Sequence, residues 1–303
     1  MPNSERVNTG GRWDPEEQMV YFIASNVSTM TKIIHVNPKI LIAVNELGSQ
    51  GDLNQVIEWA ENGKNVFIDS GVFNLTNEHA RKHDVRMDEA LSLPPEEIDG
   101  FDDLFKNYCR VVESLKETCW GYIEIDQGGR DNKIRTRARL ESLGFRPIPV
   151  YHPLNDGWDY FDELAEKYDR ICFGNVVQAD RATRKRLLAT AWERRRKYPD
   201  LWIHLLGYTA NEALNAFPIN SCDSSTWLAG VRWPEAFVTR AALKSVAHLG
   251  VEFAYDFDVD KDDPGGWSQG LQLGAYEASM LTYQWRAIER EYRALGCDPG
   301  MYL

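Results

Sequence analysis

Eight short runs rich in β-branched and aromatic residues recur along the chain, at residues 19–24, 40–44, 66–69, 121–126, 147–151, 171–174, 202–206 and 219–223. Most do not alternate polar with apolar, a pattern that suits strands covered on both faces. Helical spacing fills many of the intervals. Leu53, Val56, Ile57 and Ala60 fall on one stripe, as do Phe101, Leu104, Phe105, Tyr108, Val112 and Leu115, and again Trp158, Phe161, Leu164, Ala165 and Tyr168. Pro234 and Gly250 bracket a further helical pattern, and a last amphipathic stretch covers about 271–295. Strands alternating with helices over roughly 250 residues predict an α/β fold of the (β/α)8 TIM-barrel type. A doubly wound sheet is the weaker alternative, because no glycine-rich loop follows the first strand. With no repeat or linker evident, a single domain over 1–303 is expected, with its core at about 19–250 and a helical extension at about 251–303.

The 303 residues include 43% hydrophobic and 12% aromatic side chains, which excludes wholesale disorder. No apolar run reaches the roughly 18–20 residues of a membrane helix, and residues 1–13 are polar, so a cytosolic protein is expected. Cys109, Cys119, Cys172, Cys222 and Cys297 are widely spaced without a C-x-x-C pair, which argues against a disulfide framework or a cysteine zinc site. The net charge of −12 by itself counts against a nucleic-acid partner. It is segregated, however: acids concentrate at 88–103 and 252–263. Residues 128–139 hold five basic residues against Asp131, and 181–198 hold eight against Glu193. Each basic run follows an expected barrel strand, which makes a phosphate-binding rim a reasonable expectation.

Three expected strands end in an acid: Asp69 in V-F-I-D-S-G, Asp126 in Y-I-E-I-D and Asp223 in N-S-C-D-S-S. Barrel active sites lie at the C-terminal ends of the strands, so the three carboxylates should meet at one mouth. Paired carboxylates suit chemistry at an anomeric carbon, one attacking or stabilising positive charge and the other moving a proton. A lone strand-end Asp is as often a turn or helix cap. His152 and His204 follow or sit on strands and could bond substrate, although a core histidine is an equal reading.

The segment Asp69-Ser70-Gly71-Val72-Phe73-Asn74 resembles the D-S-G-G-F-Q segment of the tRNA-guanine transglycosylase superfamily. Asp126 resembles that family's base-recognising Asp, and Gly174-Asn175 sits where the family has a Gly-Gly pair. His204-Leu205-Leu206-Gly207 followed by Ser221–Trp227 is similar to the phage and bacterial branch that puts 7-deazaguanines into DNA. The resemblance covers about 67–227 and departs from the family at Val72 and Asn74. The C-x-C-x-x-C…H zinc signature is also missing, so no cofactor is expected.

It implies a glycosyltransferase (pentosyltransferase) exchanging guanine for a 7-deazaguanine in DNA. Asp223 would be the nucleophile and Asp69 the general acid/base. Ser70, Gly71, Phe73, Asp126, His152, Gly174, Asn175, His204 and Gly207 would bind the substrate. The implied partners are DNA, with its guanine nucleotide flipped out or single-stranded, and the free base. Alternatives are action on tRNA, an N-glycosidase or glycoside hydrolase using the same carboxylates, or a non-catalytic nucleic-acid-binding barrel.

Among weaker signals, Tyr151 and Trp227 could stack on bases but read better as core aromatics. The acidic stretch 256–262 lacks the Gly and Glu of a calcium loop, and Cys222 reads as a small buried residue.

Overall fold

The computed structural model describes residues 6–14, 20–209 and 219–228, with 271, 272, 274–276, 278, 279 and 294. Its elements run β1 (Val20–Ala24), α1 (Val27–Thr31), β2 (Lys39–Ala43), α2 (Gln50–Glu61), β3 (Asn65–Asp69), α3 (Val72–His83), α4 (Met87–Ser92) and α5 (Phe101–Leu115). They continue with β4 (Gly121–Tyr122), α6 (Gly129–Ser142), β5 (Val150–Tyr151), α7 (Trp158–Lys167), β6 (Arg170–Phe173), α8 (Arg181–Arg195), β7 (Trp202–Leu205) and β8 (Ser221–Ser224). All eight expected strands are present. The helix expected at 234–250, the acidic stretch at 252–263 and Cys297 lie outside the described residues, as does most of 271–295.

The strands pair in parallel in the order β4-β3-β2-β1-β8-β7-β6-β5, and β1 on β8 joins the two ends of the chain's strand series. A parallel bridge between Ile123 and Ile148 links the outer strands β4 and β5, so the sheet curls into a (β/α)8 barrel. That seam is short for two reasons. Pro147 and Pro149 have no N–H to give a ladder. The Val150 N–H instead donates to the Glu124 carboxylate at 2.6 Å, a side chain taking the place of a strand carbonyl. Regular pairing therefore stops at Tyr122, earlier than the run 121–126 predicts.

Two apolar layers hold the barrel. Val20, Phe22, Leu41, Phe67, Trp120, Ile148, Val150 and Trp202 fill its interior, while the opposite strand faces pack on the helices. Helix starts follow local chemistry. Ser49 and Asp52 form a capping box at α2, and Asp180 accepts from Ala182 N and Thr183 N at α8. The N-terminal segment is tied to the barrel by buried Arg170, whose guanidinium donates to Thr9 O, Gly10 O, Thr9 Oγ1 and Trp120 O between the rings of Trp13 and Trp120. No helix among the described residues is long and apolar enough to cross a membrane.

Candidate active site

Because the strands are parallel, the segments following them share one end of the barrel, and Asp69, Asp126 and Asp223 all reach it. Asp69 ends β3 and accepts a hydrogen bond from the Gly71 N–H at 3.1 Å. Gly71 has φ of +74°, and a Cβ there would lie 2.5 Å from Asn45 Oδ1, so this turn demands glycine. Burial, followed by the charges of Asp126 and Asp223, pushes the Asp69 carboxyl up to about 7. Asp126 and Asp223 thus lie near enough for their charges to act on Asp69.

The other two carboxylates each hold a histidine. Asp126 Oδ2 lies 3.0 Å from His152 Nε2. Burial alone would raise Asp126, but the bond and charge of His152, together with Lys133, hold it below the usual carboxylate range. Gly174 packs beneath this ring, and a Cβ there would come within 2.6 Å of His152 Cδ2 and Nε2. Asp223 Oδ1 lies 3.0 Å from His204 Nε2 and accepts from the Gly207 N–H at 3.0 Å. The Trp202 indole N–H donates to Ser221 Oγ at 2.7 Å, and that oxygen lies 2.8 Å from His204 Nδ1. With the Ser221 hydroxyl donating to Nδ1, the His204 ring donates from Nε2 to Asp223.

Of the remaining expected site residues, Ser70 is buried and caps the turn through Val72 N, and Phe73 stands 53% exposed in the first turn of α3. Asn175, in left-handed conformation at φ 52°, donates to Asn155 Oδ1 at 2.6 Å. Tyr151 is buried against Trp158, Phe161 and Phe173, and Trp227 is buried with its indole N–H on Ala24 O, so both are core aromatics. Cys222 is fully buried.

The expectation of a basic rim at 128–139 is corrected. In α6, Lys133 pairs with Asp156 at 2.6 Å and Arg137 with Glu124 at 2.9 Å, both inside the protein. Arg130 pairs with Asp159 and Glu163, Arg135 with Glu96, and Arg139 with Asp102. Every basic residue of that run has an acid beside it. In α8, Arg194 pairs with Asp162, and Arg184 donates to backbone carbonyls.

Sequence reasoning missed the layer supporting the site. Asp156 Oδ2 accepts from both Lys133 Nζ and the His152 N–H, so a buried ion pair fixes the segment carrying His152. Glu124 does the same for β5 while balanced by Arg137. A signal was present: Lys133 and Arg137 are four residues apart, on one face of α6, whose exposed face carries the other arginines.

The fold and mouth define a barrel with an acid-rich site. No known protein family matches the sequence, and no curated protein does. Solved structures of similar shape include tryptophan synthase subunit alpha from Legionella pneumophila str. Paris, at 11% identity and a TM-score of 0.43 over 91% of this chain and 94% of that one. The same subunit from Campylobacter jejuni has 9% identity and a TM-score of 0.42, covering 72% and 90%. The YdjI aldolase from Escherichia coli K12 has 10% identity and a TM-score of 0.41, covering 93% of each.

These neighbours are tryptophan synthase alpha-like and aldolase barrels, not tRNA-guanine transglycosylases, which corrects the resemblance drawn from the short motifs. The guanine-exchange reaction on DNA or tRNA falls with it, as do its glycosidase variants and the glycosyltransferase class. The motifs have a local explanation: D-S-G is an Asx-type turn closed by Asp69 and the Gly71 N–H, a geometry any strand-to-helix connection can use. At these identities and TM-scores the likeness concerns barrel shape and assigns no activity to this chain.

Proposed function

We propose that the protein is an enzyme moving a proton to or from a small molecule at the barrel mouth, with Asp69 as the general acid/base. One observation carries this reading: three strand-end carboxylates converge, two are held by His152 and His204, and the third is left with a proton affinity near neutrality. A carboxyl balanced between its two states near pH 7 can both accept and return a proton within one turnover. Asp126 and Asp223, each oriented by an imidazole, position the substrate.

The chemistry of the mouth suggests the substrate class. Ionised carboxylates only accept hydrogen bonds, which favours N–H or O–H donors or a positive centre next to the reacting atom. Phe73, Leu154 and Val177 are among the exposed large apolar side chains, and they sit on the segments following β3, β5 and β6. They give the polar centre an apolar border, as is common in small-molecule sites. Substrates with a polar reacting end and an apolar flank fit this arrangement.

The test is a ligand-observed NMR screen of small amines, amides and hydroxy compounds, run in deuterated water with the full chain. Wild type is expected to exchange a carbon-bound substrate proton, which does not exchange with solvent unaided, for deuterium, with the rate changing around pH 7. Asp69→Asn should still bind while losing about 10²–10⁴ in rate. Undiminished exchange in Asp69→Asn would remove Asp69 from the role.

A further inference from the structure

We propose that His79, His83 and Asp99 form a binding site for a zinc-type divalent ion, where the end of α3 meets the segment before α5. His79 and His83 stand four residues apart on the last turns of α3 and therefore project from one face. Their rings lie 4.3 Å apart and 35° from parallel. Asp99, in the segment leading into α5, reaches across to them. Its Oδ2 is 2.9 Å from His83 Nε2, and its Oδ1 is 3.9 Å from His79 Nδ1. One ligand atom from each residue falls within 4.8 Å of the others. A tetrahedral ion with bonds of about 2.0–2.2 Å wants its ligand atoms roughly 3–3.5 Å apart, a spacing within reach of small side-chain rotations.

The hydrogen bonding fits as well. The Asp99 backbone N–H donates to His79 Nδ1 at 3.1 Å, so the lone pair of that nitrogen is turned toward the Asp99 segment. An incoming ion exchanges this bond for coordination. The Lys82 ammonium already occupies the carboxylate as a monovalent stand-in, and at 68% exposure it is free to swing into water when an ion arrives. Two imidazoles and one carboxylate, with water completing the shell, select zinc, cobalt or nickel over the oxygen-seeking magnesium and calcium. Once bound, the ion clips the end of α3 to the segment that starts α5. The site shares no residue with the mouth and stands independently of the acid/base reading.

Calorimetric titration of the metal-free full chain with zinc chloride tests the proposal. One ion per chain is expected. His83→Gln, at a position 44% exposed, should weaken binding at least about ten-fold. Lys82→Gln should tighten it by removing the competing ammonium. The thermal midpoint should rise with zinc in the wild type and not in His83→Gln. Absence of saturable one-to-one binding, or equal affinity in wild type and His83→Gln, would overturn the assignment.

Discussion

Asp69 is a carboxyl whose burial and acidic neighbours favour its neutral form, and that preference couples folding stability to pH. Its folded-state value, about 7, lies above the ordinary 3.8 of an aspartate. The stabilising effect is therefore fully present below about pH 4 and is lost as pH rises through 7. Asp69→Asn keeps an acceptor for the Gly71 N–H but cannot ionise. Denaturant unfolding should find it close to wild type at pH 4 and more stable by on the order of a few kcal/mol at pH 8.

Gly174→Ala probes the neighbouring dyad. The added methyl would press on His152, so a loss of about 1–3 kcal/mol is expected, with a rise in the proton affinity of Asp126 visible by NMR. At this scale the sequence was informative wherever a residue ended a strand. Asp69, Asp126, Asp223, His152 and His204 were all legible because a parallel barrel carries its strand ends to one place. What each bonds was not, because those partners come from other strands and loops. The nucleophile expected at Asp223 is 6% exposed and hydrogen-bonded to His204 and Gly207.

Among the elements, α6 departs furthest from its sequence reading. Its arginines and lysine look like a solvated basic face, yet Lys133 and Arg137 point inward to Asp156 and Glu124. The partners lie 23 and 13 residues away in sequence, too far for any local pattern to reveal. Buried pairs of this kind are costly to break. Lys133→Met would leave Asp156 buried without its cation, and a loss of about 3–5 kcal/mol is expected in chemical denaturation. Adding Asp156→Leu removes the stranded charge and should recover part of that loss, although the His152 segment then loses its anchor. The β4–β5 seam behaves similarly. The run 121–126 was legible as a strand from its apolar residues. That Glu124 supplies the bond to Val150, in place of a longer ladder, depended on prolines across the seam.

Over the whole molecule, a net charge of −12 counts against a nucleic-acid partner, and two basic runs soften that expectation when the sequence is read by segment. The structure returns the first of those runs to neutrality, since each of its cations has an acid beside it. Barrel architecture was readable because it follows from periodicity and element order. The activity was not, since short strand-end motifs recur wherever a parallel sheet needs a tight turn. What remains distinctive is the acid triplet at the mouth and the state it imposes on Asp69. Carbon-13 NMR of the aspartate carboxyls, assigned by Asp69→Asn and followed from pH 3 to 9, measures that state directly. A titration midpoint near 7 for Asp69 is the predicted result; a midpoint near 4, with the carboxylate ionised throughout the neutral range, would contradict the account.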